Sequence, residues 1–203
     1  MALDRTIGVR LVRSPVIAAL YGTENLHSFL KSSAEICIVA NIALRHVAGV
    51  LQELKKRSKL IVLNIDSCEG LSQDKEAIEF LADIGISVLL STRVQTLQKA
   101  KQCGLLTMQK VFVTDRSTWP RSQKAISLTS PNLVQIMPSP MLAYLSEDDK
   151  KRLPPIVASG FICNQNDVTK NIAQGAVAVS SSDVRLWDYS GGASLRTLPR
   201  QAS

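Results

Sequence analysis

The chain has 203 residues, 45% of them hydrophobic, and a formal net charge of +7 at pH 7, which fits one domain with a sizeable core and permits contact with nucleic acid or another anion without demanding it. Aromatic residues make up only 4%, too few for base-stacking platforms, and no apolar run reaches the length of a membrane span. Cys37, Cys68, Cys103 and Cys163 form no CxxC pair and histidine is present only as His27 and His46, so a metal site is not expected; scattered thiols without an evident export signal suit the cytoplasm.

Met1 to Ser14 has no clear period and reads as a loose N-terminal arm carrying Arg5, Arg10 and Arg13. Val16 to Leu20 reads as a buried strand, and Thr23 is placed to cap a short helix with Leu26, Phe29 and Leu30. A second strand, Ile36 to Ala40, leads into the clearest helix of the chain, with Leu44, Val47, Ala48, Leu51 and Leu54 on one face. Lys55-Lys56-Arg57 end that helix, where cations suit the negative end of its dipole; this reading is favoured over RNA contact. Strands follow at Leu60 to Leu63, Ile86 to Leu90 and from Leu105, with helices after Asp66 and Arg93 and one opened by Pro120 near Ser117. The sixth strand is Leu133 to Ile136; a proline-stiffened loop and a helix through Met141, Leu142 and Leu145 come after it.

The stretch from Ile156 to Trp187 is the most informative. Ile156-Val157-Ala158 runs into Ser159-Gly160, and Asn164 caps a helix with Asp167 three residues on. Gly175 stops that helix, and Val177-Ala178-Val179 ends in Ser180-Ser181-Ser182. Eight apolar runs in a steady strand–helix rhythm predict an α/β fold, a small (β/α)8 barrel with short loops and a reduced or missing last helix. The expected layout is an arm at 1–14, the barrel at 15–188 and a Ser-, Gly-, Arg- and Pro-rich flexible tail at 189–203. In such barrels the last two strand-to-helix loops often cup a phosphate, since glycine lets backbone N–H groups approach an anion and serine adds hydroxyl donors. Ser159, Gly160, Ser180, Ser181 and Ser182 are therefore the candidate phosphate cup. Tight-turn chemistry alone would also explain Ser-Gly after a strand.

Several strings in this order carry a family resemblance: Gly160-Phe161-Ile162, Asp167-Val168, Gly175 to Ser180 and Leu186-Trp187 in the C-terminal part, with Leu90 to Arg93, Leu97 to Lys101, Gln109 to Phe112, Asp115 and Pro131 to Pro138 upstream. The segment around Asp66, Gly70-Leu71 and Asp74 fits too. Over roughly Pro15 to Trp187 the chain resembles the glycerol-3-phosphate-responsive antiterminators of bacterial glycerol operons. That resemblance implies glycerol 3-phosphate as effector, leader mRNA as partner and no cofactor; a homodimer is an open expectation. It also implies acidic residues at Asn41 and Gln135, a histidine near Asn64, glycine at Ser159 and a basic residue at Cys163, so this chain has lost charge around the presumed ligand.

Barrel function sits at strand C-terminal ends. Asn41, Asp66, Arg93, Lys110 and Gln135 collect there as further ligand-binding candidates, with Arg93 and Lys110 supplying positive charge. Lys110 faces inward or outward according to strand parity. Without a convincing acid/base pair the chain reads as a regulator and not an enzyme. The rival is a barrel isomerase or aldolase on a small phosphorylated metabolite, which needs Asp66 and Lys110 to converge on one pocket.

Overall fold

The computed structural model describes residues 4–189. Its eight barrel strands are β1 (Val16–Tyr21), β2 (Ile36–Ala40), β3 (Leu60–Asn64), β4 (Val88–Ser91), β5 (Leu106–Phe112), β6 (Leu133–Met137), β7 (Ile156–Ser159) and β8 (Ala176–Ser181). All neighbours run parallel and β8 pairs with β1 through Val16↔Val179 and Ala18↔Ser181, closing the barrel. Two residues after β2 (Ile42–Ala43) pair with two after β3 (Cys68–Glu69), a small clasp over one sector of the mouth.

Strand parity divides the core in two. Ile17, Ile38, Val62, Val88, Leu90, Met108, Val157 and Ala178 fill the barrel interior. Ala18, Val39, Leu63, Leu89, Val111, Ile136 and Val179 face the surrounding helices. The helices are α1 (Arg5–Arg13), α2 (Leu26–Lys31), α3 (Leu44–Lys56), α4 (Lys75–Ile84), α5 (Val94–Gln102), α6 (Trp119–Thr129), α7 (Glu147–Arg152) and α8 (Gln165–Ala173). None is long and apolar enough to cross a membrane.

Three local expectations are corrected. The segment expected as a loose arm is α1, capped by Asp4, whose carboxylate accepts from the N–H of Thr6 at 2.9 Å. Ile7 and Leu11, 1% and 3% exposed, enter the interior core, so α1 plugs the barrel's N-terminal end. Nine residues are too few for the helical period to stand out among three arginines. Thr23 does not cap α2; it lies in a turn, and Asn25 in the left-handed region (φ 57°) precedes the helix. The helix expected through Met141 to Leu145 is a 3-10 turn at Ser139–Tyr144, followed by the separate α7. Pro138 and Pro140 remove donors from the first piece, while Ser146 caps the second, whose first turn is acidic and last turn basic.

The last βα unit is reduced to one 3-10 turn at Val184–Leu186. Trp187 then seals that side: it is fully buried, donates its indole N–H to the Ser181 carbonyl at 2.9 Å and meets Phe29 edge-on. The expected tail at 189–203 lies outside the described residues except for Tyr189, which packs against the core.

Candidate functional site

Counting two residues up each strand from its interior core residue leads to the mouth: Val62 to Asn64, Met108 to Lys110, Leu133 to Gln135, Val157 to Ser159 and Ala178 to Ser180. All five upper residues line one cavity of about 190 Å³ at the strand C-terminal ends. Tyr21, Ala40 and Met137 continue its wall, and Gly160, Phe161, Cys163, Ser181 and Ser182 close the side above β7 and β8.

The polar groups of the cavity are connected. The hydroxyls of Ser159 and Ser180 share a hydrogen bond, and the Gln135 side-chain N–H donates to Ser159 at 2.9 Å and to Ser180 at 3.4 Å. Gln135 is 4% exposed, and with its amide nitrogen turned to the serines its Oε1 has no partner. A buried acceptor left unpaired is costly, so this oxygen is ready to take a ligand hydroxyl. Among the described residues Lys110 brings the one cationic side chain to the lining, and no carboxylate lines it. Burial pushes the Lys110 ammonium down from the ordinary lysine value, with the Asp66 carboxylate pulling the other way.

The candidate cup is assembled with a division of labour. Gly160 (φ 81°) and Phe161 (φ 59°) both take the left-handed conformation, which turns the chain sharply across the mouth. Among the described residues nothing accepts from the backbone N–H of Phe161 or Ser182, so these are the free donors, while the Ser180↔Ser159 register sets the Gly160 N–H against the Ser180 carbonyl. Ser181 is different. Its side chain faces away from the interior, donates to the Ile162 carbonyl at 2.7 Å and accepts from the Asp183 N–H at 3.1 Å. It holds the two loops together and contributes no free hydroxyl. Asn164 and Asp167 form the expected capping box on α8, and Asp167 also takes the Cys163 N–H at 2.9 Å, so the positive end of that helix already faces a carboxylate.

Three sequence candidates are not brought into the lining. Asn41 lies beyond β2 with φ 52° and gives its backbone N–H to Ser67. Asp66 accepts from the Ser91 hydroxyl (2.6 Å), the Thr92 N–H (2.7 Å) and the Thr92 hydroxyl (2.8 Å), tying the β3 loop to the β4 loop. Arg93 is exposed at the start of α5. Asn64, a polar residue at a strand end in the sequence, does line the cavity, and the structure adds Tyr21 and Met137, which strand parity alone would have found.

A model of the family described as glycerol-3-phosphate responsive antiterminator matches residues 16–187, the whole barrel. The chain belongs to that antiterminator family. A crystal structure of the glycerol uptake operon antiterminator regulatory protein of Listeria monocytogenes superposes with a TM-score of 0.79 at 25% identity, covering 86% of this chain and 95% of that one. An antiterminator-related protein of Thermotoga maritima shares the fold at a TM-score of 0.75 and 19% identity, over 86% of this chain and 98% of that one. The Escherichia coli K12 protein YgcP is 24% identical over 178 residues, 87% of this chain and 93% of its own length. The family match ends at Trp187, the residue that seals the barrel beyond β8.

Proposed function

We propose that the chain binds glycerol 3-phosphate in the mouth cavity, and that the liganded protein binds leader mRNA of a glycerol-utilisation operon and prevents transcription termination. It does so in the cytoplasm and catalyses no reaction. The observation that carries this reading is the coincidence of a family match spanning the barrel with a small cavity of fitting chemistry at its mouth. Drug-sized ligands occupy pockets of about 300–1,000 Å³; a cavity of about 190 Å³ suits a three-carbon phosphate better than a nucleotide. The phosphate would lie on the N–H groups of Phe161 and Ser182, with Gly160 turning the chain toward it, a glycerol hydroxyl on Gln135 Oε1, and Lys110 would balance charge. Glycerol 3-phosphate switches the protein only if the RNA-competent state binds it better than the other state does.

The enzyme reading loses support from Asp66, whose carboxylate is held by three donors outside the cavity lining, leaving Lys110 without an acid/base partner there.

Calorimetric titration with glycerol 3-phosphate and with glycerol tests the ligand assignment. Binding of the phosphorylated compound alone supports it. Equal or absent binding of both refutes it.

A further inference from the structure

At the end of the barrel opposite the cavity lies a second concavity, of about 550 Å³, between α1 and the turn that joins α3 to β3. Arg5, Arg10, Arg13, Arg57 and Lys59 line it, and among the described residues Glu35 is its one carboxylate, which leaves these side chains a charge of +4. Part of this charge is structural. Arg10 donates to the Ser58 carbonyl at 2.5 Å and lies 3.4 Å from Glu35; Lys59 donates to the carbonyls of Ser32 and Ala34. The rest is free to act. The side chains of Arg5 and Arg57 make no hydrogen bond or ion pair with the described residues, and the Arg13 side chain is 67% exposed although 3.5 Å from Glu35.

The groove is rigidly built. Ile7 and Leu11 anchor α1 in the interior core, so the arginines on its outer face are held at fixed spacing and are not on a floating arm. Elsewhere some basic residues are balanced by acids on the same helix, as in α7, or give their ammonium groups to backbone carbonyls, as Lys99 does to Gln73 and Lys101 to Thr129. Guanidinium groups along a concave wall suit phosphates of a nucleic-acid backbone, which position without reading sequence.

Resting on the antiterminator reading, we infer that this basal groove is the RNA-docking surface, with the phosphate backbone of the leader transcript held by Arg5, Arg13 and Arg57. The protein is then two-ended, with effector at the strand C-terminal mouth and RNA at the plugged N-terminal end.

The test compares the full-length protein with an Arg5→Gln, Arg13→Gln, Arg57→Gln variant and a control variant carrying Arg116→Gln, Arg121→Gln and Lys124→Gln on and before α6. Each is titrated with the leader transcript of a glycerol-uptake operon from the same genome, with saturating glycerol 3-phosphate, over a range of salt. Each phosphate contact contributes about 0.7 to 0.9 to the slope of log affinity against log salt, so the basal variant should lose about 2 from that slope and at least about tenfold in affinity. The control should keep both, and all three proteins should bind glycerol 3-phosphate alike. If the wild type binds RNA and the basal variant matches it, the groove is not the docking surface and the antiterminator reading stands. An equal loss in the control also overturns the inference. If the wild type retains no RNA at low salt with effector present, the antiterminator reading itself fails and takes the groove with it.

Discussion

Ser181 and Ile162 are joined by a hydrogen bond of 2.7 Å from a serine hydroxyl to a carbonyl oxygen, linking the end of β8 to the loop after β7. The cup therefore depends on Ser181 as a brace, while its free donors are backbone N–H groups. Ser181→Ala leaves the Ile162 carbonyl without this partner in a buried setting, and should cost about 1–3 kcal/mol of stability. Chemical denaturation measures that cost directly. A variant as stable as the wild type but unable to bind glycerol 3-phosphate would instead make Ser181 a ligand contact.

Ser182 is exposed and lines the cavity, so it is the place to oppose the phosphate electrostatically. Ser182→Glu sets a carboxylate beside the anion. Like charges about 4 Å apart at an effective dielectric of about 20 repel by roughly 4 kcal/mol, and half of that still lowers affinity by more than about tenfold. Calorimetry on a variant with an unchanged melting curve decides the matter; undiminished affinity would move the cup elsewhere.

Gly160 has φ 81°, and a Cβ added there would meet Met137 and Pro138 at an ordinary 3.6 Å. Space is available, so the cost of Gly160→Ala lies in the left-handed backbone and comes to about 1–2 kcal/mol. The same change should weaken glycerol 3-phosphate binding, because relaxing the turn moves the Phe161 N–H. A drop in stability with ligand affinity intact would separate the turn from the cup.

Lys110 carries a pH signature. Its folded-state value is depressed by burial, so between that value and the ordinary 10.5 the unfolded chain binds more protons. Stability should then rise with pH through this window, the penalty being fully present below the folded value. Lys59 is depressed too, again mainly by burial, so the wild type is compared with Lys110→Met, which should show a flatter alkaline limb. An anion bound beside Lys110 favours its charged form, so glycerol 3-phosphate affinity should fall as pH rises through the same window. Superimposable stability profiles for the two proteins would remove Lys110 from the buried mouth.

Leu11 in α1 is 3% exposed against the barrel interior. Leu11→Ala should destabilise by about 2–5 kcal/mol, as for other buried leucines. A loose arm would give almost nothing in the same denaturation experiment.

Much of this was readable before any coordinates. Continuous apolar runs in strand–helix alternation gave eight strands near the expected places, because strands buried on both faces leave that pattern. The α8 capping box was equally legible, since Asn164 and Asp167 are a local signal. The site was half legible. Ser159, Gly160, Ser180 and Ser182 follow from small residues after strands, and Lys110 and Gln135 from their place at strand ends. Asn41, Asp66 and Arg93 misled because they sit one or two residues past their strands, where the chain has already turned outward. Ser181 misled because parity sends it to the helix side, and a bond to Ile162 is a contact between loops 19 residues apart that no local pattern encodes. The same holds for α1, whose burial depends on the open end of a barrel built by the rest of the chain.

The most direct test of the account is leader-RNA binding by the wild-type protein at fixed salt, with and without saturating glycerol 3-phosphate, and with glycerol as control. Coupling between two sites typically amounts to about 5- to 150-fold. The account predicts an RNA affinity raised within that range by glycerol 3-phosphate and unchanged by glycerol. The same RNA affinity in all three conditions would contradict it.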